Sequence, residues 1–163
     1  MATGREDAVR TIRAAGDELE RLVHSAGKGA WSNEAYEGWT AKQLLCHIAS
    51  TSGVAGFVLV LARNPGMTPG QQLPSRSGGG FDQVEWNAQQ VAMRQERPLE
   101  EVLEEIRGHL EGGIESVQAA PDELLGTHFR APWEIEGTVA EVIAESVRGH
   151  LMMHLRDLAA ALA

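Results

Sequence analysis

Apolar residues recur at spacings of three and four along four stretches of this 163-residue chain, the pattern of helices that each bury one face. Val9, Ile12, Leu19, Leu22 and Val23 predict a first helix from about Arg5 to Gly27, with a glycine close to its end. A second begins at Thr40, with Gln43 placed as the reciprocal half of a capping box, and ends near Asn64-Pro65-Gly66. Its later half, GVAGFVLVLA, is β-branched enough to pass for a buried strand, and continuity with the helical segment before it decides for helix. A third runs from Phe81 to about Arg97, where Pro98 restarts or kinks it, and Leu99, Val102, Leu103, Ile106, Leu110, Ile114 and Val117 carry the pattern onward. The last spans Thr138 to Ala161, with Val139, Ile143, Val147 and Leu158 on one face. Lys28 to Trp39 and Pro121 to Gly137 are connections, and Arg63 to Gly80, with three prolines and a glycine triplet, is a long loop. The expectation is an all-α four-helix bundle with one broken helix, a single domain over residues 1–163.

His150 and His154 break the apolar stripe of the last helix. Four residues advance an α-helix by about 6 Å and about 40°, so both imidazoles leave one face a turn apart. They fall in the middle of the face that the bundle buries, with Glu141 and Glu145 opposite. A buried imidazole must find partners, and a shared divalent ion would satisfy both. On the second helix Leu44, Ile48, Thr51, Ala55 and Val58 define the buried side, and His47 projects within about 60° of its middle, whereas Cys46 points nearly the other way. His47 is the third candidate ligand; Cys46 reads as a small buried residue. His24, His109 and His128 have no partner at ligand spacing and read as ordinary histidines.

Depth along the bundle then dictates the topology. His47 lies roughly 10 Å from the start of its helix, and His150 and His154 lie roughly 16 and 10 Å from the end of theirs. The three meet only if helices two and four are antiparallel, which requires an up-down-down-up order and a crossover between helices two and three. The loop from Arg63 to Gly80 reaches up to about 60 Å when extended, and it stands where that crossover is needed.

The formal net charge of −9 argues against nucleic acid or anionic lipid as partner. No apolar run approaches the roughly 18 residues of a membrane span, and with a single cysteine and no leader-like start, cytoplasmic residence is expected. The near-continuous apolar half of helix two predicts a face for a second subunit, hence a homodimer.

GWTAKQLLCHIAS (residues 38 to 50), HLMMHLRDL (residues 150 to 158), the central FDQVEWNAQQ and the order of helices resemble the DinB-like superfamily, which includes the metal-binding domain of mycothiol-dependent maleylpyruvate isomerases. The resemblance covers nearly the whole chain and implies a DinB-like bundle whose metal ligands fall on His47, His150 and His154. The thiol-dependent isomerases resemble Glu-x-x-x-His on the last helix, where this chain has His-x-x-x-His; that departure points away from maleylpyruvate itself. Activities in relatives include thiol-dependent isomerisation or transfer and hydrolytic detoxification.

Three neutral imidazoles suit Zn²⁺, Ni²⁺ or a similar ion and leave a position for water or substrate. The leading expectation is therefore a metal-dependent enzyme acting on a small electrophile, by hydrolysis or with a low-molecular-weight thiol as cosubstrate. A metal-stabilised bundle that binds a small molecule or protein partner without catalysis is the alternative, and a scaffold with no metal a third. Asp157, one turn beyond His154, is placed to orient an imidazole. Trp39, Glu85, Trp86 and Asn87 are expected around the mouth, with Glu85 and Asn87 the candidate catalytic residues for handling a proton or a substrate carbonyl.

Overall fold

A computed structural model describes residues 4–67 and 82–163. Helix α1 (Gly4–Ser25) forms the first rod, and α2 (Ala41–Thr51) with α3 (Val54–Arg63) the second. A shorter helix, α4 (Gln83–Ala92), packs against α2, and α5 (Leu99–Ala119) is the third rod. After a short α6 (Asp122–Gly126), the fourth rod consists of α7 (Val139–Ser146), a π-helical turn (Val147–Leu151) and α8 (Met152–Leu162).

Side-chain contacts between rods fix their directions. Arg5, at the start of α1, donates to the carbonyls of Val117, Gln118 and Ala120 at the end of α5, so the first and third rods are antiparallel. Arg148 reaches Asp7, and Asn33 just past α1 donates to the Ala161 carbonyl, so the first and fourth are parallel. Gln43 meets Gln95, and Ser52 meets His109, so the second and third run the same way. The order is up-down-down-up, as the depth argument requires. The bulk of the crossover, residues 68–81 with the predicted start of the third helix at Phe81, lies outside the described residues.

The core is one aliphatic cluster drawn from every rod, with Ile12 and Leu19, Leu44 and Ile48, Leu103 and Ile106, Ile143, Leu155 and Leu158 at its centre. Both predicted boundaries of the second rod hold. Thr40 accepts from the Gln43 amide while the Gln43 side chain accepts from the Thr40 amide, and Asn64 caps the far end. Within it, Ser52 and Gly53 interrupt the helix, and the His109 ring fills the gap, its Nδ1 3.1 Å from the Ala49 carbonyl and 2.9 Å from Ser52 Oγ. The stretch Ala41–Arg63 is long and apolar enough to cross a membrane by length and composition, yet 61% of its most apolar 18 residues are buried inside the bundle. Its apolar half faces inward through Ala55, Val58, Leu59 and Leu61, and Phe57 stacks on Trp133. Val54, Phe57 and Ala62 of the same stretch are half-buried and Val60 is exposed.

Three departures from the sequence expectation matter. The helix expected to reach Arg97 ends at Ala92, and α4 is a separate helix laid on α2 rather than the first half of a kinked rod. Each of the two connections folds as a small antiparallel hairpin: β1 (Glu34–Tyr36) with β2 (Trp39–Thr40), and β3 (His128–Arg130) with β4 (Glu136–Thr138). In both, the second strand ends on a threonine that caps the next helix, Thr138 forming its capping box with Glu141. Finally, the fourth rod is not α-helical throughout, for the Met152 amide donates to the Val147 carbonyl five residues back.

Candidate metal centre

The second and fourth rods bring His47, His150 and His154 together inside the bundle, with one nitrogen from each ring all within 4.8 Å of one another. The ring centroids of His150 and His154 are 4.7 Å apart, those of His47 and His154 4.9 Å, and those of His47 and His150 5.3 Å, all edge to face. His47 and His154 are each 3% exposed. The π-helical turn sets this geometry from the fourth rod, because an added residue per turn resets the phase of everything after it. Val139, Ile143, Val147, Leu151 and Leu155 are all buried at successive spacings of four, a stripe that an uninterrupted α-helix would carry around its own surface by about 40° per step. The widened turn absorbs that drift and keeps the apolar stripe and His154 facing inward together. Four consecutive steps of four in the sequence were the signal for it.

Burial acts on the charge of the cluster. It pushes His47 down to about 4, helped by the neighbouring His154 and His150, and pushes His150 down to about 4, helped by His154. His154 is lowered as well, by burial, against the opposing hydrogen bond and charge of Asp157 and the charge of Glu37. All three rings are therefore neutral near pH 7, with lone pairs available to a cation. His154 Nδ1 donates to Asp157 Oδ2 at 3.3 Å, which leaves its Nε2 turned to the cluster, the arrangement that orients a metal-bound imidazole.

His47 Nδ1 is buried with no hydrogen-bond partner among the described residues. His47 Nε2 and His150 Nε2 are 3.4 Å apart. Two nitrogens each about 2.1 Å from one tetrahedral ion would also be separated by about 3.4 Å. The donor set fits a divalent ion in chemistry and in spacing.

The β1–β2 hairpin covers this cluster from the side where α2 begins and α8 ends. Tyr36 places its ring edge to face with His154 at 4.9 Å, and Trp39 is tilted against His47 at 5.3 Å. Trp39 was expected at the mouth; Glu37, in the turn between them, was not singled out, although Glu-Gly ahead of Trp39 is a turn dipeptide that could have marked it. Glu85, Trp86 and Asn87 lie half-buried on α4. Glu85 accepts from Gln89 and Asn87 from Gln83, and neither belongs to the group of donors that converges with the histidines. Cys46 is buried beside the Arg94–Glu105 ion pair, and burial pushes its thiol up, so it is no ligand of this cluster.

Residues 12–159 match the family model described as the mycothiol maleylpyruvate isomerase N-terminal domain. The crystal structure of the mycothiol-dependent maleylpyruvate isomerase superposes on the whole chain with a TM-score of 0.67 at 13% identity, and a histidine-to-alanine mutant of that enzyme gives the same values. This chain spans 64% of the isomerase's length, so the likeness is one of fold. A search of curated proteins by sequence finds no match. With the family model covering nearly all of it and the bundle shared, the chain belongs to the family of mycothiol maleylpyruvate isomerase N-terminal domains, a DinB-like family.

Proposed function

We propose that His47, His150 and His154 hold one divalent metal ion and that the protein is a metal-dependent enzyme acting on a small electrophile, by thiol transfer or isomerisation or by hydrolysis. The observation that carries this reading is the convergence of three neutral imidazoles, His47 and His154 buried and His150 half-buried, with Nε2 of His47 and Nε2 of His150 3.4 Å apart. All three donors come from one chain, so the site needs no second subunit. Zn²⁺ and Ni²⁺ are the ions an all-imidazole set favours. When bound, such an ion supplies Lewis acidity, which acidifies a coordinated water or thiol.

The chain's own residues divide the remaining work. His154 is held in one tautomer by Asp157, and His47 is held in place by Trp39. Tyr36 and Trp39 wall the side where substrate approaches and exclude water from the donors. A low-molecular-weight thiol is the cosubstrate suggested by the family, since the isomerase of known structure is mycothiol-dependent by name. Glu85 and Asn87 are assigned to proton handling and carbonyl binding on the sequence alone, and conservative amides or alanines at those positions check it.

The test is elemental analysis of protein purified without an affinity tag, followed by assay of thiols with electrophilic substrates and of ester or amide hydrolysis. About one ion per chain, lost together with turnover in each histidine variant, supports the reading. A chain that takes up no ion overturns it, and metal without any reaction leaves a metal-stabilised binding bundle.

A further inference from the structure

Among the described residues, the charged side chains that act on His154, Asp157 and Glu37, are both acidic. Asp157 stands on α8 with its carboxylate 3.3 Å from His154. Glu37 occupies the β1–β2 turn, exposed and next in the chain to Tyr36, whose ring packs edge to face on His154 at 4.9 Å. The phenol of Tyr36 is itself pushed up, by burial first and then by Glu37 and Asp157, so it stays protonated and adds no charge.

Nearby cations are turned elsewhere. Lys42 acts on Cys46, on the far side of α2, and Arg148 is tied to Asp7 and Glu145. Arg156 is exposed, two residues past His154 and hence on the opposite side of α8.

Glu37 is also placed against its backbone preference. Its φ is +46° and that of Gly38 is +83°, the two-positive turn that suits Asn-Gly or Gly-Gly. The turn holds the exposed Glu37 side chain between Tyr36 and Trp39, the two rings that pack on His154 and His47.

We propose that Glu37, with Asp157 behind it, determines the charge class of the substrate: the site selects a thiol or electrophile whose tail is cationic or neutral and discriminates against carboxylates. Asp157 is committed to His154, so Glu37 is the group that meets the tail. This inference rests on the metal reading given above, because the reacting atom is the one the histidine-bound ion would receive.

The experiment compares cysteamine with 3-mercaptopropionate, two small thiols with tails of opposite charge. Each is titrated into the Co²⁺-loaded chain and followed by the thiolate-to-cobalt charge-transfer band. Because the two thiols differ in acidity, the readout is the change in their Kd ratio between variants. Glu37→Gln is expected to move the ratio toward the carboxylate by about fivefold, the size of one unit charge acting across several ångströms of partly screened solvent. Glu37→Lys moves it further in the same direction. Glu134→Gln, at the positive-φ turn residue of the other hairpin, leaves it unchanged.

A ratio that stays within about twofold across the Glu37 variants overturns the proposal while leaving the metal reading intact. Should the chain take up no Co²⁺, the metal reading falls, and the charge preference is then decided on the metal-free chain. The same two probes are titrated against the ring resonances of Tyr36, the single tyrosine. Equal perturbation by both probes there overturns the proposal too.

Discussion

Nε2 of His47 and Nε2 of His150 stand 3.4 Å apart inside the bundle, although 103 positions separate them in sequence. Neither is charged near neutral pH, since burial holds both down to about 4. Two unprotonated imidazoles facing each other have one hydrogen bond between them at best, and a cation between them would use both lone pairs.

Replacing any one of the three histidines by alanine is expected to weaken divalent-ion binding by more than about 100-fold while far-ultraviolet circular dichroism stays helical. Competition against a chelating dye measures it. A variant at His47 that binds as tightly as the parent would remove the second rod from the site.

Asp157→Asn is expected to cost about 10- to 100-fold in metal affinity, because the amide no longer fixes the tautomer of His154. Asp157→Glu should recover part of the loss. Equal affinities for parent and both variants would make the 3.3 Å contact incidental.

Stability of the metal-free chain should fall as the solution is acidified from pH 7 to pH 5. His47 and His150 are lowered to about 4 in the folded chain, from an ordinary value near 6.5, so between these values the unfolded chain binds protons that the folded chain does not. The penalty is nil above about pH 6.5, grows as pH falls and is complete below about 4. At about 1.4 kcal/mol per pKa unit, the two rings together account for roughly 4 kcal/mol by pH 5. Urea unfolding at the two pH values reads it, and a chain carrying glutamine at both positions should lose most of the slope.

Thr40→Ala removes the acceptor for the Gln43 amide at the start of the helix that carries His47. A loss of about 1 kcal/mol in unfolding free energy is expected, as for an ordinary cap. Thr138→Ala should cost a similar amount at the start of α7.

The four rods, both caps of the second one and the three converging histidines were legible in the sequence because each rests on a strong local signal: a long apolar period, a capping box, a polar residue on an apolar face. The direction of the rods was legible for a less local reason, since only one order lets His47 meet the other two. What escaped was small or ambiguous. Strands of two and three residues, such as Trp39–Thr40 and Glu34–Tyr36, are too short to show alternation, and tertiary packing rather than propensity selects them. The break at Ser52–Gly53 hides in a run that packs equally well as strand or helix, and it is settled by His109 arriving from α5. The expected helix to Arg97 fails because Arg94 and Arg97 turn back onto Glu105, a pairing that no local pattern announces.

The turn from Val147 to Leu151 has a bearing on how related chains are compared. A relative whose last rod lacks that turn is one residue shorter within a helix, where alignment procedures least tolerate a gap. Placed without one, its ligands slide by a register, and a carboxylate or imidazole that occupies the place of His150 in space appears opposite a neighbouring column. Superposed backbones, rather than counted positions, are the safe basis for deciding which relatives share this donor set.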